Sequence, residues 1–289
     1  MFPTILQLGP IVISSLGVAM FFGYFFSVFL FWQKAREEHF DETKLMDMVI
    51  FVSLASFFGA RSGWILTNLS QLGGKLGEWF DFLGKPGYWW FGGLLLGICA
   101  ILYFSRKNKW EFFKIADIAC FGVILFLIFE EIGFFLDGSN YGQITNLPWG
   151  LRFPGLIDRR HPLQLYRLII FLFLFRLVFW LEKNYRTFAW YQDKKGETKE
   201  GFISAFFLIM IGLVNFSFGF LKESEIFLKW MIADQWFGLL TTISGAFILY
   251  MRSGKRIEFG KRDKQKFPTR KRGVKFRRFK TGIDAITKE

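Results

Sequence analysis

The sequence predicts an all-α, polytopic membrane protein: a bundle of about seven transmembrane helices with an external cap loop. Composition is the first observation behind this prediction, because 52% of the 289 residues are hydrophobic and 41 residues are phenylalanine. The second is that the apolar residues form long runs rather than the stripe of a half-buried helix. Runs of about 20 residues are long enough to cross the hydrocarbon core of a bilayer.

Seven apolar runs follow one another along the chain, separated by polar or glycine-rich connections. They cover residues 11–32, 45–66, 89–104, 115–136, 163–181, 201–221 and 235–251. The predicted domains are a seven-span unit over residues 1–251 and a basic tail over residues 252–289. A cleavable signal peptide is not expected, because the first run is too long and has no basic start.

The excess positive charge is concentrated in the tail. The net charge is +13, but residues 252–289 hold 15 of the 37 Lys and Arg residues and only 4 of the 24 acidic residues. This composition favours a disordered arm that is attracted to anionic lipid headgroups. Nucleic-acid binding is disfavoured, because no folded base-reading motif accompanies the basic residues.

The connections differ in their basic content, and this difference predicts the orientation. Residues 33–44, 105–114 and 182–200 carry 3, 4 and 5 Lys or Arg, whereas no connection on the opposite side carries more than 3. Lys and Arg accumulate on the cytoplasmic side of a membrane. We therefore expect the N-terminus outside, the tail inside, and the loop over residues 137–162 outside as a cap.

Charged residues of both signs are predicted to lie at one depth near the outer face. Arg61 is late in the second run. Glu130 and Glu131 are late in the fourth, and Arg167 is early in the fifth. Each would be costly in hydrocarbon if it were unpaired. Two interpretations stay open: an ion-pair network that holds the helices together, and a polar cavity that receives a charged lipid headgroup or a peptide.

The other chemically active residue types give weaker signals. His161 precedes Pro162 at the start of the fifth run, where an imidazole serves either as a base or as a structural cap. Cys99 and Cys120 lie inside apolar runs and are interpreted as core residues rather than as a disulfide or a nucleophile. The acidic neighbours of His39 fit a solvated loop, and the sequence contains no metal-binding pattern.

Several segments resemble one enzyme family. They are residues 133–142 (GFFLDGSNYG), 147–150 (LPWG) and 160–166 (RHPLQLY), together with 59–61 (GAR) and 91–93 (FGG). Taken in chain order, these segments are similar to segments of the prolipoprotein diacylglyceryl transferases. The resemblance covers residues 4–251, and the run over residues 160–166 is its most specific part.

The resemblance implies a multi-pass enzyme of the bacterial inner membrane. The family moves a diacylglyceryl group from phosphatidylglycerol to the thiol of a lipobox cysteine in a preprolipoprotein, and glycerol phosphate leaves. The implied partners are phosphatidylglycerol and the lipobox peptide, and the charge of the basic tail adds anionic membrane lipids as an expected partner. No metal or other cofactor is expected. The chemistry needs a cation for the phosphate and a means of raising the thiolate fraction of the incoming cysteine.

The predicted site combines the matched segments with the charged residues near them. The predicted catalytic residues are His161, Glu131 and Glu130. The predicted substrate-binding and lipid-binding residues are Arg61, Arg160, Arg167, Gln164, Tyr166, Asp137, Gly138, Tyr141 and Gly142.

Some positions differ from the family pattern. Phe91 replaces a histidine, and Glu130 and Glu131 replace a glycine and an essential arginine. The other substituted positions are Leu16, Phe134, Asn215 and Gly219. A glutamate repels an anionic phosphate rather than stabilising it. Two functions therefore stay open: a divergent transferase with a relocated cation, and a non-catalytic member that binds lipid or a membrane protein. A small transporter is a third class, without an internal repeat to support it.

Overall fold

The fold was examined in a computed structural model that describes residues 2–8, 11–69, 87–188, 190–192, 198–222, 227–228 and 230–253. Seven α-helices of at least 18 residues form this described part of the chain. They are α1 (Ser15–Glu37), α2 (Glu42–Thr67), α3 (Trp90–Lys107), α4 (Phe112–Asp137), α5 (Leu163–Asn184), α6 (Phe202–Gly219) and α7 (Ala233–Arg252). The predicted tail over residues 252–289 lies outside the described residues from residue 254 onward.

The helices confirm the predicted fold class. Each predicted run corresponds to one helix, and five of the helices are long and apolar enough to cross a membrane: α1, α2, α4, α5 and α6. The protein is therefore a multi-pass helical membrane protein. Membrane crossing by α3 and α7, and the orientation of the whole bundle, stay predictions.

The first predicted run begins too early, because its first residues form a strand. A hairpin pairs β1 (Thr4–Leu8) with β2 (Ile11–Ser14), and α1 begins only at Ser15. The β2 sequence IVIS is rich in β-branched residues, which favour a strand. The Ser14 side chain accepts a hydrogen bond from the Gly17 N–H at 3.0 Å and so caps the helix.

The helices pack in pairs through small residues. The α1 helix lies along α4, α2 along α3, and α6 along α7, while α5 packs against α4. Between α2 and α3 the backbones are so close that a Cβ on Gly92 would lie 2.3 Å from the Gly59 carbonyl oxygen. Small residues permit this approach, which gives membrane helices close van der Waals contact.

The largest apolar core lies between α4, α5 and α6. Its most buried members include Ile124 and Leu127 of α4, Phe171 and Leu174 of α5, and Ile211 of α6. Helix α4 is thus covered by neighbours along most of its length. The C-terminal end of α4, where the residues of interest lie, therefore belongs to a well-packed helix.

Candidate functional site

The C-terminal end of α4 is terminated by a glycine. Asp137 is the last helical residue and is half-buried, and Gly138 follows in the left-handed region at φ +81°. The N–H groups of Gly138 and Ser139 both bond to the Phe134 carbonyl oxygen, at 2.9 and 3.1 Å. Glycine is favoured here because a Cβ is strained in this conformation. The chain then leaves the helix axis and enters the cap.

The cap is folded by backbone hydrogen bonds. The Gly142 N–H donates to the His161 carbonyl oxygen at 2.9 Å, and the His161 N–H donates to the Gln143 carbonyl oxygen at 3.1 Å. Further along, β3 (Leu151–Arg152) pairs with β4 (Arg159–Arg160). A Cβ on Gly142 would lie 2.8 Å from the Leu221 carbonyl oxygen. The glycine therefore lets the cap approach the end of α6.

The Gln164 side chain connects the start of α5 to the residues that follow α4. Its side chain is fully buried, and its Nε2 donates a short hydrogen bond to the Ser139 carbonyl oxygen. The Gln164 Oε1 and the Ser139 hydroxyl are also buried, and neither has a hydrogen-bond partner among the residues described. The Ser139 contact was not predicted. Its only sequence signal was the position of Ser139 directly after the glycine that ends α4.

The centre of this region is an ion pair between α4 and α5. The Arg167 Nε lies 2.9 Å from Glu131 Oε1. The Glu131 side chain is 0% exposed, whereas that of Arg167 is 18% exposed. The pair is close in distance, but neither Glu131 oxygen accepts a hydrogen bond from the described part of the chain. The predicted ion pairing of a glutamate with an arginine is thus confirmed for Glu131 and Arg167.

Two further predicted residues lie where the cap meets α5. The Arg160 guanidinium donates from Nη1 to the Gly142 carbonyl oxygen at 3.5 Å and lies 5.0 Å from the Tyr141 ring centroid. The His161 Nδ1 lies 3.4 Å from the Tyr166 hydroxyl oxygen. These predicted residues and Gln164 thus all lie around the junction between the cap and the start of α5.

Two predicted residues are placed differently. Arg61 is 3% exposed, donates from Nη1 to the Gly87 carbonyl oxygen at 3.1 Å, and lies over the Trp64 ring. Its described contacts therefore link α2 to the chain before α3 rather than to Glu131 or Arg167. Glu130 is half-buried beside Glu131 on α4. Adjacent helical residues point about 100° apart, so Glu130 and Glu131 do not face each other.

Two cavities in the described region are apolar. One of about 460 Å³ lies between α1, α2, α3 and α4, and one of about 620 Å³ lies between the α2–α3 and α6–α7 pairs. Phe91 lines the second cavity and packs 4.8 Å from the Phe237 ring. Neither cavity is lined by Glu131, His161 or Arg167, so the predicted polar hollow stays a prediction.

Sequence reasoning also missed an ion pair beneath the cap. Lys222 Nζ lies 2.9 Å from Asp234 Oδ2, and the backbone of Lys222 forms a bridge with Gly142. The residues sit just beyond α6 and within the first turn of α7. Their sequence signal was only that polar residues flank two apolar runs, which does not distinguish a cap contact from an exposed connection.

Fold and site define a class: a multi-pass helical membrane protein with a buried ion pair beneath a cap at one end of the bundle. The family model for prolipoprotein diacylglyceryl transferase matches residues 3–251. The chain therefore belongs to the prolipoprotein diacylglyceryl transferase family, as the sequence resemblance indicated.

Curated relatives agree with this assignment. A phosphatidylglycerol–prolipoprotein diacylglyceryl transferase of Aeromonas salmonicida is 28% identical over 238 residues, which cover 77% of this chain and 78% of the relative. The protein of that name from Bordetella avium is 29% identical over 267 residues, covering 88% and 95%. The one from Nitratidesulfovibrio vulgaris is 29% identical over 243 residues, covering 83% and 86%.

Proposed function

We propose that this protein transfers a diacylglyceryl group from phosphatidylglycerol to a cysteine thiol of a prolipoprotein. Family membership and the names of the relatives support the proposal. The observation that carries it is a set of buried polar atoms on Glu131, Ser139, Gln164 and Arg167 that have no hydrogen-bond partner among the described residues, where the matched segments meet. Native proteins rarely leave such atoms unsatisfied, so the cluster fits a site that acts on a polar ligand.

The reaction sets requirements that this region can meet. The thiol loses its proton, the sulfur attacks the glyceryl carbon, the carbon–oxygen bond breaks, and the electron pair stays on the departing glycerol phosphate. A nearby cation stabilises the charge on the leaving group. Arg160 and Arg167 supply cations, and His161, held near Tyr166, is our candidate for the group that accepts the thiol proton.

The proposed location is the bacterial inner membrane, with the cap on the outer side. The basic connections predicted on the cytoplasmic side support this orientation. The cap also exposes large apolar side chains, among them Trp149 at 56% and Ile157 at 89%. Such residues suit the membrane interface, where the lipid donor and a membrane-held prolipoprotein meet. We further propose that residues 254–289 contact anionic headgroups.

A transfer assay with purified protein tests this function. Phosphatidylglycerol labelled in its diacylglyceryl part is supplied in mixed micelles with a lipobox peptide, and a peptide with serine in place of the cysteine serves as the matched control. We expect label on the cysteine peptide only. No transfer, while the Aeromonas salmonicida relative is active in the same assay, would reject the proposal.

A non-catalytic family member is the second candidate, and the substituted positions favour it. By the sequence resemblance, Phe91 replaces a histidine and Glu131 replaces an essential arginine, and Phe91 is buried against Phe237. Complementation separates the two candidates. Growth of a transferase-depleted bacterial strain on this gene rules out the non-catalytic alternative, whereas expression of folded protein without rescue supports it.

A further inference from the structure

The arginines near the outer end differ in how their guanidinium groups are held. Arg61 and Arg160 each use the terminal Nη1 to donate to a backbone carbonyl oxygen. In Arg167 the Nε atom, rather than an Nη atom, lies close to its partner, at 2.9 Å from Glu131 Oε1. Within the described residues neither Nη of Arg167 has a hydrogen-bond partner, and neither is among the fully buried atoms. Two adjacent donors of Arg167 are therefore available to a ligand.

We propose that Arg167 is the phosphate-binding cation of this chain and that Glu131 is the residue that positions it. The paired Nη groups of an arginine match two oxygens of a phosphate. The Glu131 carboxylate is 0% exposed and lies behind the guanidinium at 2.9 Å, and the Phe171 ring lies 5.7 Å from Cζ on one face. These contacts fix the orientation of the group and leave its outer edge for the ligand.

The buried polar atoms beside Arg167 point to the same ligand. Gln164 lies three residues before Arg167 on α5, so the two side chains share one helix face. Ser139 accepts the Gln164 hydrogen bond at its carbonyl oxygen, and its buried hydroxyl has no hydrogen bond among the described residues, so polar capacity is left unused near the start of α5. The chemical class of the ligand is therefore a phosphate ester, supplied either by a glycerophospholipid headgroup or by free glycerol phosphate.

This arrangement makes Glu131 a positioning residue rather than a base. A carboxylate with no exposed surface does not reach the substrate, whereas Arg167 retains 18% of its side-chain surface. The inference rests on the proposed transferase function for the identity of its lipid, but binding of a phosphate is measurable without turnover. An experiment can therefore separate failure of this inference from failure of the proposed function.

Two variants of the full-length protein separate the contribution of the Arg167 charge from that of Glu131. Glu131→Gln removes the salt bridge but keeps Arg167 and a side chain of nearly the same size beside it. Glu131→Gln combined with Arg167→Gln removes both charges of the ion pair. Arg176→Gln is the matched control, because Arg176 lies on the same helix and is exposed. If the double amide variant does not fold, Glu131→Leu with Arg167→Leu replaces it, since apolar replacement of a buried ion pair is often tolerated.

The first readout is the thermal shift caused by phosphatidylglycerol compared with diacylglycerol, which lacks the phosphate. We expect Glu131→Gln and Arg176→Gln to keep the phosphate-dependent shift and the double variant to lose it. Glycerol phosphate is added in a separate arm: competition by the free ester shows that the phosphate alone is recognised, and its absence shows that the whole lipid headgroup is required. A double variant that still prefers phosphatidylglycerol would overturn the inference.

The second readout is kcat/KM in the transfer assay. We expect a loss of at least about 100-fold in the double variant, the scale for removing a donor that stabilises developing negative charge, and less than about 10-fold for Glu131→Gln. Activity abolished equally in Glu131→Gln would make Glu131 catalytic and contradict the positioning role. A wild-type protein that binds phosphatidylglycerol through Arg167 but transfers nothing would reject the proposed function and keep the inference.

Discussion

Helix α4 carries two buried carboxylates, Asp117 and Glu131, that are satisfied in different ways. They lie fourteen residues apart, or about 21 Å along the helix. Asp117 accepts hydrogen bonds from the N–H groups of Gly201 and Ser204, at 2.7 and 2.8 Å, and so caps the start of α6. Glu131 accepts none from the described residues and has only the ion pair with Arg167.

This difference distinguishes Asp117, whose role is structural, from Glu131, which we assign to a proposed ligand site. Asp117 has its charge stabilised by two backbone donors at a helix N-terminus, an arrangement that needs no ligand. Glu131 and Arg167 leave donors and acceptors unused in a buried region, which costs stability unless a ligand or substrate uses them. Burial alone therefore does not distinguish the two carboxylates, whereas their remaining hydrogen-bond capacity does, and it is the reason why we propose a ligand site at Glu131 and Arg167.

Reversing the charge of Glu131 is expected to have the largest effect. Glu131→Arg places two guanidinium groups together in the bundle and should lower the free energy of unfolding by more than about 4 kcal/mol. Glu131→Arg combined with Arg167→Glu restores opposite charges and should recover most of that loss. Denaturant unfolding in mixed micelles measures both variants. Equal stability of the single and double variants would mean that the ion pair does not couple α4 to α5.

Removing the Asp117 carboxylate should have a smaller effect, and only on stability. Asp117→Ala leaves the N–H groups of Gly201 and Ser204 without their acceptor, at a cost of about 3 kcal/mol. Asp117→Asn keeps one acceptor oxygen and should lose less. Transfer activity per folded molecule should match the wild type in both. A specific loss of activity in folded Asp117→Ala protein would contradict the contrast between the two ends of α4.

The smallest effect concerns an exposed cap and depends on pH. The backbone N–H of Lys44 donates to Asp41, at the start of α2, and this bond lowers the pKa of the Asp41 carboxyl below its ordinary value of 3.8. The folded state thus prefers the carboxylate, so the stabilisation is present above the unfolded pKa and is lost as the pH falls through the folded one.

Unfolding of the wild type and of Asp41→Ala, compared across pH, tests this cap. The wild type should be slightly more stable above about pH 4, and the difference should shrink below that value. Asp41→Asn is the control, because its uncharged amide caps a helix at every pH. A difference between wild type and Asp41→Ala that is constant from pH 3 to pH 7 would contradict an ionised cap.

The helices were predictable because the length of an apolar run is set by the thickness of hydrocarbon. The predicted ends of the fifth run, Leu163 and Leu181, differ from those of α5 by at most three residues. The hairpin before α1 was not predictable, because a short apolar run such as IVIS suits either a strand or a helix.

The sequence predicted that a glutamate pairs with an arginine near one end of the bundle, but not which side chains meet. Hydropathy placed Arg61, Glu131 and Arg167 at a similar depth, yet only Glu131 and Arg167 are in contact. Which side chains meet depends on the rotation of each helix about its axis, and one-residue steps of about 100° decide it. Arg61 instead faces the segment before α3, where Gly87 accepts its hydrogen bond.

A structure of the protein with bound phosphatidylglycerol, determined in a lipid nanodisc, tests the central claim most directly. We expect the lipid phosphate within about 3 Å of the Nη groups of Arg167, while Glu131 Oε1 remains beside the Nε atom of the same arginine. A phosphate bound instead by Arg61 or Arg160, with Arg167 turned away from it, would contradict the assignment.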